Sequence, residues 1–135
     1  VDKKTGKVTI KGTGKAVITV TVSASGDYKQ TFKKITITVK PKKNKINSLK
    51  STAKKSITVA WNKDSKANGY VVEYSTKKSF KNAKSFTVNK NTIKNKKITG
   101  VRSKKTYYVR VRSYIKVSGK KIFGDWSSSK KVRTK

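Results

Sequence analysis

An all-β fold is predicted by three features of the sequence. Apolar and polar residues alternate with period two through nearly every patterned segment. The apolar third of the chain is rich in Val, Ile, Tyr and Phe, which suit pleated, half-buried surfaces. No segment sustains a helical repeat over the roughly 11–18 residues that mark a helix. With 135 residues the chain is long enough for one full domain with residues left over, or for two very small ones.

Taken in order, "GKVTIKG" pairs Val8 and Ile10 on one side of a short strand near 7–11. In "AVITVTVSA", Ala16, Ile18, Val20 and Val22 share a face, which predicts a strand near 15–24. In "KKITITVK", Ile35, Ile37 and Val39 do the same within 31–40. The turn signals "GTGK" and "ASGDYKQ" separate these three strands. The only proline, Pro41, opens "PKKNK", a charged stretch without an apolar residue, and marks the best boundary in the chain. The expected division is a partial domain over 1–41, a linker over 42–45 and a full domain over 46–135.

Seven strands with the spacing of a sandwich are predicted beyond the boundary, near 46–50, 55–61, 69–75, 84–88, 95–99, 105–115 and 121–134. The last is expected to break around Ser127–Ser129. Parity selects the inside: Ile57, Val59 and Trp61 on one strand, Tyr70, Val72 and Tyr74 on another, Tyr107, Val109 and Val111 on a third. Tyr108, Arg110 and Arg112 then point outward. Glu73, the lone acid on a central strand, is expected to pair with a neighbouring Lys or Arg on the same face.

Charge is the extreme feature: 37 Lys and Arg against five acids, a net charge of +32. Such a field draws polyanions in general. All but four of these cations are lysines, hydrated point charges that lack the planar fork with which arginine reads phosphates and guanine edges. Exposed aromatics on neighbouring strands backed by helices, the mark of an RNA-reading sheet, are also missing from the pattern. Sequence-specific nucleic-acid binding is disfavoured on both counts.

The absence of Cys, His and Met removes disulfides, thiol nucleophiles, imidazole bases and thiolate or imidazole metal sites, so no cofactor or metal is expected. The acids are too scattered to suggest a glycosidase-type carboxylate pair. Ser and Lys are abundant, which makes a Ser/Lys dyad uninformative, and "KGTGK" at 11–15 lacks the strand–loop–helix setting of a phosphate loop. No apolar run approaches the roughly 20 residues of a membrane span. The expectation is a chain without catalytic activity.

The stretches "SITVAWNKDSKANGYVVEYSTKKSF" and "ITGVRSKKTYYVRVRSYIKVSGKKIFGDWSSSKKVRTK" resemble a fibronectin type III domain of the lysine-rich kind found in Gram-positive surface and secreted proteins. The resemblance covers about 43–135. It puts Trp61 at the second-strand core tryptophan, "GYVVEYS" at the third strand, and Val101 with Tyr107 at the corner where a phenol ties the sixth strand to the preceding loop. Val101 stands where the family prefers Leu, and the family's topology, which sets the third and sixth strands side by side, implies Arg110 or Arg112 as the partner of Glu73. The opening "VDKKTGKVTIKGTGKAVITVTVSA", with "ITITVKP", is similar to the C-terminal half of a bacterial Ig-like domain, group 2.

That half would leave three strands with open edges and an apolar face. Two explanations stand: its remaining strands lie in a neighbouring domain, or strands from another copy complete it through Ile18, Val20, Val22, Ile35, Ile37 and Val39. An Ig-like Lys–Asn crosslink would need an inward acid, and parity turns Glu73 outward. Tyr114, Lys120, Lys121, Phe123 and Trp126 form the remaining candidate site. Aromatics rimmed by lysines suit stacking on sugars, and the competing reading has Phe123 and Trp126 close the end of the core. The resemblance implies an extracellular structural, spacer or adhesive module. Its expected partners are anionic cell-wall polymers or acidic glycans, held by charge, and other copies of itself.

Overall fold

Ten strands and no helix make up the computed structural model, which describes all 135 residues. They fall into two units, Val1–Val39 and Lys40–Lys135.

The first unit is a ribbon of two strands, β1 (Gly14–Val22) and β2 (Thr31–Val39), paired antiparallel from Gly14↔Val39 to Val22↔Thr31. Directly opposed residues share a face. Ile18 therefore sits across from Ile35 and Ala16 across from Ile37, while Val20 and Val22 face Lys33 and Thr31. None of the residues before Pro41 is buried.

The strand expected near 7–11 does not form. Asp2 and Lys7 close a turn instead, with Asp2 N–H donating to the Lys7 carbonyl at 2.9 Å and Gly6 in the left-handed region at φ +69°. The Asp2 carboxylate accepts from Lys4 and Thr5 N–H, and these bonds hold its pKa below the ordinary carboxylate value. The alternation of Val8 and Ile10 is genuine, but a strand needs a ladder partner and none lies beside this segment. The segment instead borders a groove of about 330 Å³ shared with Ile18, Ile37 and Val39.

The second unit is a sandwich. One sheet is β3 (Ile46–Lys50), β4 (Ser56–Trp61) and β7 (Asn95–Thr99), in the order β3-β4-β7. The other comprises β5 (Gly69–Ser75), β6 (Lys84–Val88), β8 (Thr106–Val117), β9 (Lys120–Phe123) and β10 (Lys130–Arg133). Its order is β10-β8-β5-β6, with β9 on the far part of β8. Residues of alternating parity from both sheets meet in one core: Ile57, Val59 and Trp61 against Tyr70, Val72, Val109 and Val111, with Val101 and Tyr107 at one end. Tyr74 is partly buried and packs on this cluster. The Trp61 and Tyr70 rings meet edge to face, centroids 5.4 Å apart, a geometry that contributes about 0.5–1.5 kcal/mol beyond area burial.

The structure differs from the sequence expectation in two places here. The last predicted strand breaks as expected, between β9 and β10, but the strand before it runs further than expected. β8 continues to Val117 and folds back through Ser118 and Gly119, both at positive φ, as a two-residue hairpin loop with right-handed twist requires. The stretch expected as a linker belongs to the sandwich. Asn44 is buried, its side-chain amide donating to the Asn62 carbonyl and to Ser113 Oγ, both at 3.1 Å. Pro41 is buried too, and a Cβ at Gly124 would lie 2.7 Å from its carbonyl oxygen, so only glycine allows that approach.

Candidate functional site

The outer face of the larger sheet carries an arginine–aromatic stack along β8. Two strand residues advance about 6.6–6.8 Å, room for one ring between two planar guanidinium groups. Arg110 and Arg112 use that spacing. The Arg110 guanidinium lies 4.0 Å from the Phe80 ring centroid and 4.5 Å from that of Trp126. Arg112 lies 4.2 Å from Trp126 and 4.1 Å from Phe123. Phe123 then tilts against Tyr114 at 6.1 Å, and Lys121 Nζ stands 4.7 Å from the Tyr114 ring. Each such contact contributes about 0.5–1 kcal/mol when exposed and ~2 when desolvated.

Three separate segments supply these rings, and each is pinned. Gly124 N–H donates to the Ser113 carbonyl at 2.9 Å and Ser127 N–H to the Val111 carbonyl at 2.8 Å, which holds 124–127 along β8 with Trp126 over the arginines. Ser127 Oγ accepts from Val111 N–H at 3.1 Å. Phe123 comes from β9 and Phe80 from the turn after β5. Across the β5–β8 register, Glu73 faces Arg110 and accepts from it at 2.5 Å. Arg112 faces Val71 and has no acid. Its Nε is buried without a partner, and burial pushes its pKa below the ordinary arginine value, against the opposing attraction of Glu73. Arginine stays charged regardless.

Tyr114 is fully buried on this face. Its hydroxyl donates to Asn89 Oδ1 at 2.8 Å, and its ring covers Gly69, where a Cβ would come 2.8 Å from the hydroxyl and 2.1 Å from the Val88 carbonyl oxygen. Desolvation raises the Tyr114 pKa. Tyr70 is raised for the same reason; its hydroxyl accepts from Asp64 N–H at 2.8 Å and donates to the Asn91 carbonyl at 3.0 Å. At the opposite end, Arg102 N–H donates to the Tyr107 hydroxyl at 3.0 Å beside buried Val101, which ties β8 to its preceding loop.

Of the residues singled out in the sequence, Tyr114, Lys121, Phe123 and Trp126 are brought together, and Lys120 stands exposed at the start of β9. They do not form an open platform, because guanidinium groups and neighbouring rings already occupy the ring faces. Nor do Phe123 and Trp126 close the end of the core: the stack places them on the outer face. Glu73 pairs with Arg110, as parity and topology suggested. Phe80 was missed. Its only signal is an isolated aromatic in "KKSFKN", and its role depends on Arg110, 30 residues later in the chain.

On the ribbon, Ile18, Ile37 and Val39 are half-buried, whereas Val20, Val22 and Ile35 are 48, 59 and 45% exposed. No group of three or more His, Cys, Asp or Glu residues gathers to hold a metal, and no helix is long and apolar enough to cross a membrane.

No protein-family model matches the sequence, and no curated protein is similar to it. Solved structures are similar in fold. A two-domain fibronectin type III segment of chicken tenascin superposes with a TM-score of 0.60 at 18% identity, over 89% of this chain and 65% of that one. The FN1–FN3 domains of chicken CNTN1 give 0.60 at 17%, over 93% and 44%. A structure described as a myokine gives 0.55 at 16%, over 70% and 97%. The chain thus spans less than two thirds of the tenascin and CNTN1 chains. At these identities the likeness speaks to fold alone, and that fold is a fibronectin type III-like β-sandwich.

Proposed function

We propose that the chain is a non-catalytic structural and adhesive module that works outside the cell, on a Gram-positive surface or secreted protein, and is held to anionic wall polymers by its lysine coat. The observation that carries this reading is the filled stack on β8. The rings best suited to sugar stacking are occupied by the chain's own Arg110 and Arg112, which leaves exposed lysine as the dominant surface offered to a partner. The stack, the Tyr107 corner and the shared core stiffen the sandwich, which suits a spacer. The lysine-rich resemblance over about 43–135 supports the bacterial setting. Binding to teichoic acid, titrated against salt, tests the reading. Affinity is expected to fall steeply as salt rises and to survive Trp126→Ala. Salt-independent affinity, or affinity lost with Trp126 in a folded variant, would contradict it.

A second reading has its own observation. Both outer edges of the β1–β2 ribbon are unpaired, and its apolar stripe stands exposed at Val20, Val22 and Ile35. Such a ribbon takes up a further strand readily. In this reading the ribbon joins copies of the chain into a surface polymer. Light scattering of the intact chain beside a version starting at Lys40, which keeps the buried Pro41, decides between them. Assembly that disappears with the ribbon favours the polymer, and a monomer in both favours the spacer.

A further inference from the structure

At the end of the sandwich where β5 finishes and β8 begins, a cleft of about 280 Å³ opens between the turn of residues 76–83 and the loop of residues 100–105. Tyr74 and Tyr107 line it, together with Lys77, Lys81, Lys84 and Arg102. No acid lines the cleft, and the chain's one ion pair, Glu73 with Arg110, uses none of these four cations. Two lysines, Lys11 and Lys15, line the groove of the first unit; here four cations and two tyrosines line one concavity. The Tyr107 hydroxyl accepts from Arg102 N–H and has no protein acceptor for its own hydrogen.

The turn that carries the lysines is held in a defined shape. Lys77 N–H donates to Ser75 Oγ at 3.1 Å, and Ser75 Oγ donates to the Lys81 carbonyl at 3.3 Å. Phe80 and Asn82 both adopt left-handed backbone, at φ +59° and +56°, and Lys104 in the facing loop does so at +56°. Left-handed backbone is costly for side chains other than glycine, least so for Asn, and persists where the surroundings enforce it. Phe80 is held there by its own turn, its N–H donating to the Lys77 carbonyl at 3.0 Å and its carbonyl accepting from Ala83 N–H at 3.2 Å, while its ring stacks 4.0 Å from Arg110 and joins the turn to the stack on β8.

We propose that this cleft is a binding subsite for one acidic sugar unit of an anionic polysaccharide. Lys77, Lys81, Lys84 and Arg102 take the anionic group, and the Tyr107 hydroxyl and the Tyr74 ring take the sugar. The volume sits at the small end of the ~300–1,000 Å³ range of ligand pockets, which suits a single residue of a longer chain. Lysine ammonium groups adapt to sulfate, phosphate or carboxylate alike, so the cleft selects an acidic saccharide by charge and ring. The inference deepens the adhesive reading and rests on it: the coat gathers the polymer and the cleft holds one unit of it.

The test uses the intact chain and calorimetric titration with a sulfated disaccharide at about 0.15 M salt, where screening suppresses diffuse attraction. One variant carries Lys77→Gln, Lys81→Gln, Lys84→Gln and Arg102→Gln. A control of equal charge loss carries Lys63→Gln, Lys94→Gln, Lys116→Gln and Lys120→Gln, all exposed and on the loops or strand ends at the other end of the sandwich. All eight side chains are outside the core, and a thermal melt checks that both variants stay folded. The expected result is one saturable site in the wild type and the control, weakened at least about tenfold in the cleft variant. Equal losses in the two variants, or no saturable disaccharide site in the wild type, would overturn the subsite. A glycerol phosphate oligomer that binds as tightly as the disaccharide would overturn the sugar assignment. Teichoic acid is titrated against salt in parallel. Failure of the wild type to bind it in a salt-dependent way refutes the adhesive reading itself, and loss of the disaccharide site alone refutes only the cleft.

Discussion

The ribbon and the sandwich are written in the same alphabet and end in opposite physical states. Both alternate Val and Ile with Thr and Lys, yet none of the first 40 residues is buried, while Ile57, Val59, Tyr70, Val72, Val109 and Val111 lose all exposure. What separates them is a second layer. A strand's apolar stripe stabilises most when another sheet removes it from water, and the ribbon's own unit has no second sheet, only the 8–10 segment along its groove. Binary patterning therefore specifies which face wants burial, and topology decides whether it receives it.

The sharpest way to break this comparison is to delete an apolar side chain from each region. Trp61→Ala removes a fully buried indole from the centre of the core and should cost about 3–5 kcal/mol in urea unfolding. Val20→Ala, at a position 48% exposed, should change stability by less than ~0.5 kcal/mol. Comparable losses would mean that the ribbon has a buried partner. Next in size is Gly69→Ala. The new methyl would press on the Val88 carbonyl, a backbone atom that cannot swing aside, and on the Tyr114 ring, for an expected cost of about 1–3 kcal/mol.

Trp126→Ala should be milder. It empties the slot between Arg110 and Arg112 and removes two cation–π contacts, for about 1–2 kcal/mol, with the core intact. The same unfolding titration, followed by tyrosine fluorescence, reads it. The smallest effect is alkaline. Burial raises the Tyr70 and Tyr114 pKa above the ordinary value of 10.0, so the fold keeps protons that the unfolded chain releases. Their contribution is complete below that value and declines as pH rises through the folded-state pKa. Compared across pH 10.0, Tyr114→Phe should lose stability less steeply than the wild type. An equal or steeper decline would show that the phenol does not titrate with unfolding.

Strand positions and inner faces were legible in the sequence because a period of two is a local signal, complete within five or six residues. The Glu73–Arg110 pair was legible once strand parity met the expected sheet order. What escaped are the features made by distant partners. Val8 and Ile10 alternate correctly yet form no strand, because pairing is a property of two segments. Asn44 lies in a stretch that reads as linker, and only Asn62 and Ser113 reveal that it belongs to the sandwich. The stack on β8 needed Phe80, Phe123 and Trp126 to arrive from three segments. "YVRVR" announced the arginine spacing but not the rings that fill it.

Native-state hydrogen exchange of the intact chain tests the central claim most directly, since it reads local stability residue by residue. Amides of β4, β5 and β8 should exchange only through global unfolding. Amides of β1 and β2 should exchange through local opening at a small fraction of that free energy, even where the ribbon's ladder bonds them. Ribbon amides protected as strongly as those of Val59, Val72 and Val111 would contradict the account. They would show that the first 39 residues have a buried face of their own.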